Sequence, residues 1–304
     1  MAAPDNLGEF IKYHLSDHPW PGCQAQLWGQ TVTWMSDGIA TMVLTAGVLV
    51  AVILLLARRR QTVPRGAANA LEVVVVFVRD MIARPALKER AYRYLPFLLT
   101  LFVFILGMNV IGLLPLQPLS VVLDRAMGGA GYSLGGTPTG VLTVCAGLAS
   151  LTLLHIVLSG LWRAGLRRRD VSNWPLPVCL LLSPVLWSIG LAPRVQGVAG
   201  AVMAVPLAVL ELIGTVAKCF ALMIRLFANM LAGHGMLAVM MMFIFRLSAD
   251  WLQVSVLRTV GVGLVCILAS VVVNVLELMV AGLQAYIFTF LSAMFLSLYV
   301  EPQH

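Results

Sequence analysis

Residues 196–245 run for about 50 positions that are nearly all apolar, and residues 259–300 repeat the pattern after the short polar stretch Arg246 to Arg258. As a helix the first run would be about 75 Å long at 1.5 Å per residue. A bilayer core is only about 30 Å thick. The segment is therefore either two spans or one long helix strongly tilted along a membrane, and the two runs together form a helical hairpin of unusual length. A water-soluble core cannot hide so much apolar surface. The chain is 60% hydrophobic and 11% charged, with a mean hydropathy of +0.94, where soluble domains carry roughly 25% charged residues. The fold class expected is an all-α integral membrane protein, whose outer faces are solvated by lipid.

Three further spans are expected ahead of the hairpin, at residues 38–57, 95–116 and 138–162. Arg58-Arg59-Arg60 stops the first. The nine basic residues between Arg58 and Arg93, and the four between Arg163 and Arg169, sit just after long apolar runs. The positive-inside rule places such clusters in the cytoplasm and the N-terminal segment 1–37 outside. Between the first two spans, Asn69 to Ala83 is apolar apart from Asn69, Glu72, Arg79 and Asp80. That pattern reads as a helix lying on the membrane surface. Trp174 to Pro193 is apolar but broken by Pro175, Pro177 and Pro184, so it either crosses once or dips in and returns. Together these segments make about five transmembrane helices in a single membrane domain spanning residues 1–304.

The net charge of +7 does not point to nucleic acid, because its basic residues cluster at span ends and no nucleic-acid-binding motif is present. Cys23, Cys145, Cys179, Cys219 and Cys266 are scattered singly with no CxxC pair, which argues against a metal or redox role. Residues 1–35 contain Asp5, Glu9 and Asp17 and lack the basic start and apolar core of a signal peptide. There is no G-x-x-x-x-G-K-[ST] nucleotide motif. No cofactor is expected.

Ionisable groups inside spans cost roughly 2.5–3.5 kcal/mol each on insertion scales. Glu211, Lys218, Arg225, His234 and Glu277 all lie in the last two apolar segments, with His155 in the third span. Glu211, Lys218 and Arg225 are spaced by seven. At about 100° per residue they fall within about 40° of one another on a helix. Asn229 joins that edge one turn on. Beside it runs a stripe of small residues, Gly214, Ala221, Ala228 and Ala232, which lets another backbone approach closely. His234, nine residues after Arg225, lies about 180° away and is directed at a different neighbour, the other arm of the hairpin. On that arm Asn274, Glu277 and Gln284 share one face. Lys218 has two readings, a snorkelling or Glu211-paired lysine and a functional one. His155 reads as a structural histidine with a hydrogen-bond partner. Arg225 differs, because a guanidinium cannot lose its charge to escape burial. It requires a carboxylate or water.

The run Ile224-Arg225-Leu226-Phe227-Ala228-Asn229-Met230-Leu231-Ala232-Gly233-His234 resembles the signature of subunit a of the F-type ATP synthases. So do Leu276-Glu277-Leu278 through Leu283-Gln284-Ala285-Tyr286-Ile287-Phe288, Met108-Asn109-Val110-Ile111-Gly112-Leu113-Leu114-Pro115, the segment from Val63-Pro64 to Ile82, and Tyr13-His14-Leu15-Ser16-Asp17-His18. The likeness covers most of the chain in the family's order. It implies a non-catalytic, proton-translocating stator of the membrane sector, in the bacterial inner membrane, with the N-terminus outside and the C-terminus cytoplasmic. It implies a c-subunit ring, peripheral-stalk b subunits and the rest of the ATP synthase as partners, with ATP chemistry done elsewhere in the complex.

On the resemblance, two offset half-channels meet near the essential arginine, matched by Arg225, which faces each ring carboxylate as it passes. Glu211 matches an acidic position of the proton path. His234 and Glu277 match a polar pair near the outer half-channel, in the opposite order from many relatives. Gln284 and Asn229 match polar positions close to the arginine, and Lys218 has a counterpart in some members. Two features depart from the family pattern. Residues 174–193 look like an apolar insertion, expected to be re-entrant or peripheral because a full crossing would invert the Arg225 hairpin. Arg246 and Arg258 lie on what should be the outer hairpin loop. The competing readings are a proton channel or secondary transporter of another family, which should show an inverted internal repeat that is not visible, and a non-transporting assembly protein, which would have no use for Arg225.

Overall fold

The computed structural model describes residues 20, 24–27, 30–33, 35–58, 66–114, 122, 125, 137–172, 198–249 and 256–300. The expectation for residues 174–193 lies outside these, as does the tip of the C-terminal hairpin at 250–255. Seven α-helices account for most of the described chain: α1 (Asp37–Arg58), α2 (Ala67–Phe77), α3 (Arg84–Leu87), α4 (Ala91–Leu113), α5 (Leu142–Ser172), α6 (Val198–Ala249) and α7 (Val256–Val300). Among the described residues, five segments are long and apolar enough to cross a membrane: Asp37–Leu56, Ala68–Leu113, Leu142–Trp162, Leu212–Met240 and Gly263–Leu298. The protein is an all-α integral membrane protein. Its exposed surface shows why. Val50, Val52, Ile53, Leu54 and Leu55 of α1, and Leu264, Val265, Leu268, Val271 and Val272 of α7, are all exposed. Stripes of that size are tolerated only where lipid or a partner covers them.

Several boundaries differ from the pattern expected. A short antiparallel hairpin, β1 (Gln24–Leu27) and β2 (Gln30–Thr33), precedes α1, with Gln24 opposite Thr33 and Leu27 opposite Gln30. Four-residue strands are too short to leave a periodic signal, although Thr31, Val32 and Thr33 suit a strand. α4 begins at Ala91 and ends at Leu113, a few residues earlier than the expected 95–116. α5 opens on a 3₁₀ turn, Pro138–Gly140, and continues through Arg163–Arg169 to Ser172, because arginine is a good helix former and a helix need not stop where its apolar run does. Likewise α6 and α7 extend into the polar stretch between Arg246 and Arg258.

The chain clusters into two compact units, and α4 to α7 each contribute a segment to both. The first unit comprises Met1–Gln61, Val103–Cys145 and Arg225–Ala285. Here α1 starts on Ser36, whose hydroxyl accepts from the Ile39 N–H at 3.5 Å, and on Asp37, which accepts from Trp20 Nε1 at 3.1 Å. The buried hydroxyls of Thr41 and Thr45 donate back to carbonyls of their own helix, each at 2.7 Å. Two glycines let α4 approach its neighbours. A Cβ on Gly107 would meet Leu49 Cδ1 at 2.7 Å, and one on Gly112 would meet Thr137 side-chain and backbone atoms at 2.1–3.0 Å.

The second unit comprises Thr62–Phe102, Ala146–Ile224 and Tyr286–His304. Its first part is a helical run from Ala67 to Leu87 containing a π-helical segment at Val78–Ala83. A continuous helix from Ala68 to Leu113 would be 46 residues long, about 69 Å at 1.5 Å per residue. Lys88 prevents this, because its backbone takes φ 49°, ψ −121° and ends α3. That region is disfavoured for a side-chain-bearing residue. The run before Lys88 buries Val78, Ile82, Ala83, Ala86 and Leu87, while Val73, Val76 and Met81 are exposed. Phe77 packs on Phe102 and Tyr286, with ring centroids at 5.8 and 5.9 Å. The α7 segment of this unit buries Phe288, Thr289, Ser292 and Leu296, the three-to-four-residue rhythm of a packed helix face.

Candidate functional site

In the first unit α6 begins at Arg225 and turns Leu226 and Met230 into the interior. Arg225 itself is exposed, as are Ala228, Asn229 and Ala232. Two methyl-sized side chains, Ala228 and Ala232, therefore flank a fixed cation on an open helix face, and a second helix can approach that face closely. Among the described residues, no carboxylate forms an ion pair with Arg225.

The other side of α6 meets α7. His234 Nδ1 lies 2.7 Å from Glu277 Oε1. Glu277 is buried, at 7% exposure. One proton serves this contact. Either the imidazole N–H donates to the carboxylate, or a protonated carboxyl donates to the bare nitrogen. The neighbouring residue makes the fit possible. A Cβ on Gly233 would stand 2.6 Å from Glu277 Oε1 and 2.9 Å from its Cδ, so only glycine leaves room for the carboxyl there. Two turns along α7, Gln284 is 2% exposed and its Oε1 accepts from Asn229 Nδ2 at 3.0 Å. Glu277 Oε2 and Gln284 Nε2 are buried with no hydrogen-bond partner among the described residues. Such atoms cost about 1–3 kcal/mol each and are uncommon outside functional sites.

A further pair of polar side chains flanks this seam. Asn109 of α4 is 2% exposed. Its Nδ2 donates to the Ala281 carbonyl of α7 at 3.4 Å, and its Oδ1 accepts from Thr139 Oγ1 at 2.8 Å. Cys145 Sγ lies 3.1 Å from the Thr139 carbonyl.

The structure thus brings together His234 with Glu277, and Asn229 with Gln284, as well as Asn109 and Thr139, which spacing alone does not single out. Asn274 departs from the face expected for it. It is exposed and donates to Ser270 O of its own helix at 3.1 Å, because at about 100° per residue it stands some 60° from Glu277. The second unit holds Lys218, whose Nζ lies 5.5 Å from the ring centroid of Phe295, within cation–π range. Glu211 lies on α6, and its side chain is outside the described residues. His155 is also there, stacked on Phe97 at 3.9 Å with Tyr94 edge-on at 6.2 Å. Its Nε2 is buried without a partner among the described residues, so ring stacking replaces the hydrogen bond expected at that nitrogen. Cys145, Cys219 and Cys266 are buried free thiols, while Cys23 and Cys179 lie outside the described residues.

These features define a polytopic helical membrane protein that presents an arginine beside small residues on an exposed helix face and sets a histidine against a buried carboxyl between its last two long helices. The chain belongs to the ATP synthase A chain family, whose model matches residues 39–297. It is similar to the ATP synthase subunit a of Myxococcus xanthus, 35% identical over 267 residues covering 86% of this chain and 72% of that one. The subunit a of Maricaulis maris is 30% identical over 263 residues, 86% of this chain and 87% of the relative. That of Chloroherpeton thalassium is 33% identical over 240 residues, and there the match spans 57% of the longer relative. With its five apolar segments, the chain is a multi-pass bacterial membrane protein.

Proposed function

We propose that this chain is the proton-translocating stator of an F-type ATP synthase, non-catalytic itself, which offers two half-channels to the carboxylates of a c-subunit ring. The observation that carries this reading is Arg225. It is a permanent cation, exposed beside Ala228 and Ala232 and without a carboxylate of its own among the described residues. Its counter-ion is then the ring carboxylate. At about 4 Å and an effective dielectric near 20 the attraction is about 4 kcal/mol, enough to keep that carboxylate ionised while it faces the arginine. Each proton that crosses contributes about 2.3 kcal/mol per 100 mV. Proton flow drives ring rotation, and ATP is made in partner subunits held through the peripheral-stalk b subunits.

In this reading His234 and Glu277 relay protons in the outer half-channel. Their 2.7 Å contact and the spare polar atoms of Glu277 and Gln284 support that role. Gln284 and Asn229 line the approach to Arg225. Glu211 belongs to the proton path, with Lys218 as a secondary candidate. The N-terminus lies outside and the C-terminus in the cytoplasm, with residues 174–193 re-entrant or peripheral in a single membrane domain. Accessible cysteines placed at Asp250 and Gln303 test that topology, and labelling of Gln303→Cys from outside would contradict it.

The ring contact is tested by cross-linking in assembled membranes. Ala228→Cys should form a disulfide with a cysteine placed beside the carboxylate on the c subunit, while Val43→Cys on α1 should not. A cross-link from Val43→Cys alone would place the ring on another face.

A further inference from the structure

We infer that Asn109, held by Thr139, is the positioning residue that fixes the register of α7 for the Glu277–Gln284 seam. The inference rests on the proton-path reading above and adds to it a residue whose action is indirect. Glu277, Ala281, Gln284 and Ala285 are all buried. At about 100° per residue they form one face of α7, with Ala281 one turn beyond the carboxyl and one turn before the amide. A helix carbonyl in that position has a second lone pair, since its own i+4 bond uses only one. Asn109 Nδ2 reaches it at 3.4 Å across 172 residues of sequence.

The grip is itself held. Asn109 Oδ1 accepts from Thr139 Oγ1 at 2.8 Å, and Asn109 and Thr139 are buried at 2% and 0% exposure. An amide whose oxygen is engaged by a hydroxyl has its NH₂ direction set, so the donor stays aimed at Ala281. The turn that carries Thr139 is locked against α4. Gly112 leaves no space for a Cβ against Thr137, and Gly140 would meet Thr137 Oγ1 at 2.7 Å. A chain of two side-chain hydrogen bonds therefore runs from the Pro138–Gly140 turn through Asn109 to α7. What it fixes is where Glu277 stands against Gly233 and His234. The Glu277 carboxyl occupies the space that a Cβ on Gly233 would fill, so its seat depends on where α7 stands against α6, and an axial or rotational shift of α7 lengthens the 2.7 Å His234–Glu277 contact. His234 is the titratable group in contact with Glu277 among the described residues, so the pH dependence of proton movement reports that contact.

The test uses membrane vesicles containing the whole complex, with ATP-driven proton pumping read as a function of pH. Asn109→Leu and Thr139→Val should each lower pumping roughly five-fold, the weight of one net hydrogen bond. They should also flatten the pH profile, as Glu277→Gln does. Thr139→Ser, which keeps the hydroxyl, should restore both. Asn109→Leu combined with Glu277→Gln should be no worse than Glu277→Gln alone, as expected for residues acting through one site. Should Asn109→Leu fail to assemble, the Thr139 pair decides the question alone. A reduced rate with an unmoved pH profile, or effects that add to those of Glu277→Gln, would overturn the inference and leave Asn109 as packing. Arg225→Ala in the same membranes separates the two levels, because retained pumping there removes the proton-path reading, whatever Asn109 does.

Discussion

Each of the two compact units holds a half-buried histidine, and they surround it in opposite ways. In the first, His234 is part of a polar seam, in hydrogen-bond contact with Glu277 and followed along the same helices by Asn229 and Gln284. In the second, His155 is stacked on Phe97 and flanked by Tyr94, and no polar side chain joins it among the described residues at Nε2. The lesson is that a charge-capable residue inside a membrane helix is not by itself a proton site. A proton relay needs a neighbour that can take the proton. Aromatic rings offer a packing surface instead.

The contrast can be broken first at Glu277. Glu277→Gln keeps the shape and removes the proton exchange, so pumping should fall roughly tenfold or more and its pH dependence should flatten. Unchanged flux across pH would remove Glu277 from the relay. A smaller loss is expected from Gly233→Ala. The added Cβ would stand 2.6 Å from Glu277 Oε1 and displace the carboxyl, and pumping should drop several-fold while the complex still assembles, since overpacking by one methyl is usually survivable. Normal pumping would show that the clearance is not used.

His155→Phe probes the other side of the comparison. It preserves a stacking ring against Phe97, so pumping should stay within about twofold of the parent and the pH profile should not move. A shifted profile would make His155 a second proton site. The smallest effect belongs to Lys88, whose φ of 49° a β-branched residue resists. Lys88→Val should lower the thermal stability of the purified complex by about 1 kcal/mol, with Lys88→Gly neutral and neither altering pH dependence. Equal stability of the valine and glycine variants would contradict a strained backbone at that position.

Much of this was legible beforehand for a simple physical reason. Lipid-facing helices carry their apolar side chains outward as well as inward, so α1, α4, α6 and α7 announce themselves as long runs. The opposite placement of Arg225 and His234 on α6 also followed from helical phase alone. Contacts between distant segments did not. Asn109 and Thr139 are 30 residues apart and Asn109 reaches Ala281 across 172, and no local period encodes such pairings. Gly233 reads as one more small residue until the Glu277 carboxyl is seen against it. Asn274 was grouped with Glu277 by spacing, yet a 60° offset at about 100° per residue is enough to turn it out to the surface. The left-handed backbone at Lys88 carries no sequence mark at all, because glycine is the residue that normally signals it.

The two histidines frame the account, but its central claim is that Arg225 answers to a carboxylate in another chain. Arg225→Ala in membranes carrying the assembled complex tests this most directly. The account predicts that ATP-driven proton pumping is lost while the complex still assembles, because the cation that holds the ring carboxylate ionised is gone. Proton pumping at the parent level in that variant would contradict it.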